Sequence, residues 1–142
     1  MTAYLVDTNV ISELVRPRPE PGVIGFFASE GDLWLSVITL HELSFGAERE
    51  KQSARKSRLI TWIENVRSQF AGRILDIDDA QAMTGGRLRA LATSKGRSGD
   101  PLDALIAAGA ASRGLTIVTR NTRDFEGLGV IIYNPWTDKD GS

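Results

Sequence analysis

The stretch of sequence that decides the fold is Tyr4-Leu5-Val6-Asp7-Thr8-Asn9, in which a short apolar run gives way to polar residues. Similar runs recur at residues 33–37 and 116–119, each followed by a polar residue and a helical pattern. Such runs are typical of buried strands, and further strands are predicted at residues 74–77 and 130–133. Strands that alternate with helices predict an α/β fold, with a mainly parallel central sheet of about five strands and helices on both faces.

Helical patterns occupy the segments between these runs. They cover residues 9–15, 40–49, 55–69, 79–93 and 101–113. Pro17, Pro19 and Pro21 predict a loop after the first helix, because proline does not fit inside a helix. Gly96 and Gly99 predict a second loop before the last helix.

The length and composition limit the possible protein classes. At 142 residues, with 42% hydrophobic and 25% charged, the chain should fold as one domain, expected over residues 1–136 with a flexible tail over 137–142. No apolar run approaches the roughly 18 residues of a membrane span. No export signal is evident, so we expect a cytoplasmic protein with no membrane association. The absence of cysteine and the single His41 exclude disulfide frameworks, thiolate chemistry and multi-histidine metal sites.

Charge is distributed unevenly along a chain whose net charge is only −1. Residues 49–73 hold seven basic and two acidic side chains, and residues 87–97 add a second basic stretch. Either stretch is compatible with a solvated helix face. Together they also leave room for a polyanionic partner.

Four acids fall where predicted strands end or predicted helices begin, namely Asp7, Glu42, Asp103 and Asp124. In a parallel sheet, ligands bind outside the carboxyl ends of the strands, at the point where the winding changes direction. Carboxylates that converge there repel one another unless a cation is bound. A hard divalent ion such as Mg²⁺ or Mn²⁺ prefers oxygen ligands of this kind.

Helix capping is the alternative explanation for the same acids. Thr39 and Glu42 fit a capping box, in which the two side chains satisfy backbone amides at a helix start. Asp100 before Pro101 fits an N-cap, and Asp103 would then favour the helix dipole from the first turn. Asp7 could likewise cap the helix that starts near residue 9. The pattern alone leaves both explanations open.

Four segments resemble, in order, the motifs of PIN-domain ribonucleases, in particular the VapC-type toxins of bacterial toxin-antitoxin pairs. They are Leu5–Val10, Thr39–Leu43, Asp103–Ala108 and Thr119–Phe125. The resemblance extends from Tyr4 to about Trp136, and four motifs in family order are far more specific than one. It implies a PIN-like fold and a metal-dependent ribonuclease that cuts RNA with metal-activated water. The implied catalytic residues and Mg²⁺ (or Mn²⁺) ligands are Asp7, Glu42, Asp103 and Asp124.

Other side chains are expected to assist these acids. Thr8 and Thr119 could orient a carboxylate or a metal-bound water, or could instead satisfy nearby backbone. Asn121 or Asp100 could share or take over the role of Asp124, whose motif is the loosest. Basic residues expected around the crevice, where they could hold flanking phosphates of the RNA, are Arg16, Arg18, Lys95, Arg97 and Arg120. His41 is a helical neighbour of Glu42 and should point away from the site.

The resemblance also implies partners. These are an RNA substrate, a second copy of the chain in a homodimer, and a cognate VapB-like antitoxin protein that blocks the site, with an arginine among the acids. Trp34, Trp62 and Trp136 are predicted to belong to the core or the dimer surface rather than to stack on bases.

Two other functions are considered from the residues. An aspartyl phosphatase or phosphoacceptor domain could use Asp7 as nucleophile, but it needs a second acid where Asn9 stands and a lysine near Arg120. A non-catalytic RNA- or protein-binding module would use the acids only as caps. Removal of divalent metal would then change neither its stability nor its RNA affinity.

Overall fold

A computed structural model describes residues 2–138. The strands are β1 (Tyr4–Val6), β2 (Leu33–Ser36), β3 (Ile74–Leu75), β4 (Thr116–Val118) and β5 (Ile132–Tyr133). The helices are α1 (Thr8–Glu13), α2 (Pro21–Ser29), α3 (Val37–Arg49), α4 (Ser53–Gln69), α5 (Asp79–Ser94) and α6 (Pro101–Arg113), and a 3-10 turn spans Thr122–Asp124. None of these helices is long and apolar enough to cross a membrane. Of the predicted tail, residues 139–142 lie outside the described residues.

The five strands form one parallel sheet in the order β3-β2-β1-β4-β5. The chain winds outwards from β1 to β3, crosses over through α5 and α6, and continues on the other side of β1 with β4 and β5. The winding therefore changes direction between β1 and β4. The predicted parallel sheet is confirmed, although β2 to β5 are one or two residues shorter than the apolar runs suggested.

Helices cover both faces of the sheet, as predicted. Val6 and Val118 point into a core formed with α1 to α4, whereas Leu5 and Ile117 point into a second core formed with α5 and α6. Adjacent strand residues face opposite sides, so each of the two central strands supplies apolar side chains to both cores. Strands buried on both faces explain why the sequence shows continuous apolar runs rather than alternation.

Helix α2 was not predicted, because the three prolines were interpreted as a loop. The loop covers residues 14–20, and Pro21 is the first residue of α2, where a proline has no amide bond to lose. Val23 and Phe26 anchor this helix in the core. The interpretation of Pro21 as a loop residue is therefore wrong.

Helix α3 begins three residues earlier than predicted. β2 passes directly into it, and Ser36 is the cap, with its Oγ accepting from the amide of Ile38 at 3.1 Å. Thr39 is buried inside the helix and Glu42 lies in the second turn, so the predicted capping box is wrong. The predicted cap of α6 is confirmed by Asp100 Oδ1, which accepts from the amides of Leu102 and Asp103 at 2.9 and 3.0 Å.

Candidate active site

Asp7 lies at the carboxyl end of β1, where the winding of the sheet changes direction. It is 6% exposed, and its backbone amide donates to the carbonyl of Val118 at 2.9 Å. Asp7 Oδ1 accepts from the amide of Thr8 at 2.8 Å. Oδ2 accepts from Thr119 Oγ1 at 2.8 Å and from Asn9 Nδ2 at 3.0 Å. Three hydrogen bonds thus hold both oxygens of this buried carboxylate in place.

Asn9 bridges the ends of β1 and β4. Besides Asp7, its Nδ2 donates to Thr119 Oγ1 at 3.2 Å, and its Oδ1 accepts from the amide of Arg120 at 3.0 Å. Thr119 Oγ1 also accepts from the amide of Asn121 at 3.0 Å. Sequence reasoning gave Asn9 no role in the site. The available signal was its position in the motif, two residues after Asp7.

Glu42 is brought to the site by the packing of α3 against α1. Thr8 Oγ1 donates to Glu42 Oε1 at 2.5 Å and lies 3.3 Å from Thr39 Oγ1. Burial raises the pKa of Asp7, and the negative charge of Glu42 raises it further, while the hydrogen bonds from Thr119, Thr8 and Asn9 act in the opposite direction. Glu42 is therefore close enough to Asp7 for mutual repulsion.

Asp103 faces the same region from the first turn of α6. Partial burial, the largest cause, and nearby negative charges together raise its pKa from 3.8 to about 7. In decreasing order of effect these charges belong to Asp100, Asp124, Asp7 and Glu42. The structure therefore brings all four predicted acids into one electrostatic group, with Asp100 as a fifth member.

Capping does not account for this group. Asp7 and Asp100 accept amide bonds at the starts of α1 and α6, but Glu42 lies beyond the first turn of α3. Asp124 ends the exposed 3-10 turn, which has no side-chain cap. Two of these acids thus have no capping role that would explain their position.

The donor set fits a hard divalent cation by its chemistry. The side chains of the four acids offer carboxylate oxygens only. Burial and repulsion between the acids raise the pKa values of two of them, Asp7 and Asp103, and a cation would relieve that repulsion. Within residues 2–138, as arranged, no three His, Cys, Asp or Glu side chains form a ready coordination cluster. Asp7 and Glu42 are instead held by hydrogen bonds from Thr119, Asn9 and Thr8.

Basic side chains flank the acids in two clefts. The first, called the acid cleft here, has a volume of about 290 Å³ and is lined by Asp103, Asp124, Arg97 and Arg123 among others. Arg97 Nη1 lies 3.7 Å from Glu126 Oε2 and 3.5 Å from the carbonyl of Arg123. Arg123 is a cleft residue that the sequence analysis missed.

The second, called the side cleft, has a volume of about 230 Å³. Its lining residues are Asn9, Ser12, Glu13, Arg16, Arg120 and Trp136. Of the five predicted basic residues, Arg97 thus lines the acid cleft, and Arg16 and Arg120 line the side cleft. Arg18 and Lys95 are exposed and line neither cleft.

The class of protein follows from the match of residues 4–130 to the PIN domain family, and the chain belongs to this family. Similar curated relatives include the toxin FitB of Neisseria gonorrhoeae, 37% identical over 94% of this chain and 99% of that protein. A second is the tRNA(fMet)-specific endonuclease VapC of Shigella flexneri, 35% identical over 96% of this chain and 100% of that protein. The predicted family is therefore confirmed.

Solved structures give the same result for the fold. The crystal structure of FitAcB from Neisseria gonorrhoeae matches with a TM-score of 0.90 and 36% identity, over 95% of this chain and 99% of that chain. DNA-bound VapBC from Salmonella typhimurium matches with a TM-score of 0.77 and 32% identity, over 95% of this chain and 99% of that chain.

Proposed function

We propose that this protein is the toxin of a type II toxin-antitoxin pair and acts as a ribonuclease that hydrolyses phosphodiester bonds in RNA. The observation that carries the proposal is the group of acids that meets where the sheet changes direction in a PIN domain. Support also comes from full-length relatives whose names describe a toxin and an RNA endonuclease.

Asp7, Glu42, Asp103 and Asp124 are the residues proposed to hold Mg²⁺ or Mn²⁺ and to form the catalytic site. When bound there, a divalent ion would make hydroxide available as the nucleophile near neutral pH and would neutralise charge on the phosphate and the leaving oxygen. A phosphodiester would be repelled by the acids without it. RNA binding and cleavage should therefore both depend on divalent metal.

The remaining residues position these acids. Thr119 and Asn9 fix the Asp7 carboxylate through Oδ2, and Thr8 fixes Glu42 through Oε1. Asp100, which adds to the repulsion at Asp103, could share the function of Asp124, as could Asn121. The arginines of the two clefts would hold phosphates that flank the scissile bond, a role supported by the clefts that they line.

The proposed partners are a cognate VapB-like antitoxin and a second copy of this chain. The solved relatives are described as FitAcB and VapBC, which are assemblies rather than single chains. An antitoxin arginine inserted among the four acids would relieve the repulsion felt by Asp103 in the same way as a metal ion. The inhibiting antitoxin and the activating metal ion would then compete for the same carboxylates.

The test is cleavage of a mixed RNA pool by antitoxin-free protein with Mn²⁺, Mg²⁺ or chelator. Asp7→Asn should abolish cleavage, whereas Asp76→Asn is the matched control. Asp76 follows β3 at the same edge of the sheet but is exposed and is not among the charges acting on Asp103. Cleavage that persists in chelator, or in Asp7→Asn, would contradict the proposed mechanism. If RNA stays intact in every condition, metal-binding calorimetry on both proteins distinguishes a narrow substrate range from a non-catalytic module.

A further inference from the structure

The side cleft is connected to the acid site through Asn9. Asn9 belongs to both, since it lines the side cleft and also donates to Asp7 Oδ2 at 3.0 Å. Its Oδ1 accepts from the amide of Arg120, which also lines the cleft. A strand of RNA with a phosphate at Asp7 would therefore have a neighbouring nucleotide within reach of the side cleft.

Two planar groups that line the side cleft lie close together. The Cζ atom of Arg120 lies 5.0 Å from the ring centroid of Trp136, within cation-π distance. Aromatic rings, including the indole of tryptophan, and guanidinium planes are surfaces on which unpaired bases stack in proteins. Trp136 packs against the core with part of its surface, as predicted. The remainder contributes to the cleft, although stacking on bases was not expected from the sequence.

The turn that carries Trp136 is fixed before any ligand binds. The amide of Trp136 donates to Asn134 Oδ1 at 2.9 Å, and the amide of Asn134 donates to Asp138 Oδ2 at 2.9 Å. The carbonyl of Pro135 packs so tightly on Gly22 of α2 that a Cβ there would stand 2.1 Å from it. A platform held in this way loses little conformational entropy when a base stacks on it.

Arg16 offers a cation for a phosphate in the same cleft. Arg16 makes one contact of 3.4 Å to Glu13 Oε1, but its side chain is 64% exposed and a guanidinium has five donors. Glu13 is buried, and its Oε2 accepts from the amide of Glu20 at 2.9 Å, so this acid holds the loop as well as pairing with Arg16. The single long contact leaves most of the Arg16 donors for a phosphate. The side cleft therefore combines a stacking platform with a phosphate-binding side chain.

We propose that the side cleft binds one nucleotide of the RNA strand adjacent to the scissile phosphate. Its base stacks on the Arg120 and Trp136 pair, and its phosphate contacts Arg16. This inference rests on the proposed function, because the nucleotide belongs to the strand whose phosphate meets the four acids. It makes Trp136 and Arg16 substrate-binding residues and does not involve them in the chemical step.

The test measures binding of a labelled oligoadenylate of about eight nucleotides to protein carrying Asp7→Asn, which blocks cleavage. Trp136→Ala should weaken binding about 5- to 150-fold, the range expected for loss of one stacked base. Trp136→Phe keeps an aromatic face and should stay within about threefold of the parent. Arg16→Gln should reduce the salt dependence of log Kd by about 0.7, the value for one phosphate contact on a single strand. Arg113→Gln is the matched control, because Arg113 is an exposed arginine at the opposite end of α6 from Asp103, and it should leave both the affinity and the salt dependence unchanged.

An abasic version of the same oligonucleotide separates stacking from a change in the fold. It should bind the parent as weakly as the intact oligonucleotide binds Trp136→Ala, and Trp136→Ala should not weaken it further. Equal binding of the intact and abasic oligonucleotides to the parent would overturn the proposal even if Trp136→Ala fails to fold. If Trp136→Ala does not weaken binding, and the protein with Asp7 restored cleaves RNA, the nucleotide site is refuted and the nuclease function stands. If binding depends on Trp136, but the protein with Asp7 restored cleaves no RNA, the nuclease function is refuted and the nucleotide site stands.

Discussion

Thr119→Val isolates the contribution of one buried hydroxyl to the site. Thr119 is fully buried, and its Oγ1 donates to Asp7 and accepts from Asn9 and from the amide of Asn121. Valine has nearly the same shape but removes all of these bonds. A hydrogen bond to a charged group contributes about 1.5–3 kcal/mol and a neutral one about 1 kcal/mol. Because Asp7 can partly compensate by taking up a proton, we expect the free energy of unfolding to fall by about 2–4 kcal/mol at about pH 8.

The pH dependence of that loss tests its cause. The pKa of Asp7 is raised in the folded protein, and the Thr119 bond is one of the interactions that limit the increase. Its removal raises the pKa further, so the loss should be largest where Asp7 is ionised and should shrink as the pH falls through the folded-state pKa. Urea unfolding of metal-free protein between about pH 5 and pH 8 measures this. Thr116→Val, at the other end of β4, is the control, with an expected loss below about 1 kcal/mol at every pH. A loss of equal size at every pH in Thr119→Val would refute the argument that the hydroxyl stabilises the charged form of Asp7.

Three further predictions concern pH, charge and packing. Metal-free protein should gain stability as the pH falls through about 7, because folded Asp103 takes up a proton there, whereas the unfolded chain does so only near 3.8. Partial exposure reduces the effect to about 1–2 kcal/mol, and urea unfolding of Asp103→Asn should show a flatter pH profile. Asp100→Asn retains the cap of α6 but removes a charge beside Asp103, so its melting temperature at alkaline pH should exceed that of the parent. Asp100→Ala removes the same charge but also the cap, so its free energy of unfolding should be about 1 kcal/mol lower than that of Asp100→Asn. Gly22→Ala should destabilise the protein by about 1–3 kcal/mol through the Cβ clash with Pro135, whereas Gly25→Ala on the same helix meets open space and should be neutral or stabilising.

The sheet was predictable because its strands are buried on both faces. Each apolar run is typical of a strand with a core on both faces, and the helices between the runs indicate that the strands are parallel. Helix α2 was not predictable in this way, because Pro21 looks the same at the first position of a helix as in a loop. The start of α3 was predicted wrongly for a different reason. Ser36 and Thr39 are both possible caps, and only the direct passage from β2 into α3 selects Ser36.

The acids of the site were predictable individually, whereas the side chains that orient them were only partly so. Asp7 follows from a strand end and Asp103 from a helix start, where the topology of a parallel sheet brings side chains together. Glu42 was expected at a helix start but lies in the second turn of α3. Asn9 was missed because its second partner, Thr119, lies 110 residues away in sequence. Local patterns hold no information about such a contact until the order of β1 and β4 is known.

The distribution of charge around the site resolves an apparent conflict in the composition. A chain with a net charge of −1 is a poor general binder of polyanions, and a group of acids at the site makes it worse. Each of the two clefts contains arginines, with Arg97 and Arg123 in the acid cleft and Arg16 and Arg120 in the side cleft. RNA would then be attracted by the clefts and repelled by the acids themselves, unless a cation occupies the acids. Affinity for RNA in this arrangement should rise with divalent metal, even though higher ionic strength alone weakens phosphate contacts. If affinity instead fell with added Mg²⁺ as it does with an equal ionic strength of NaCl, the acids would have no part in holding the strand.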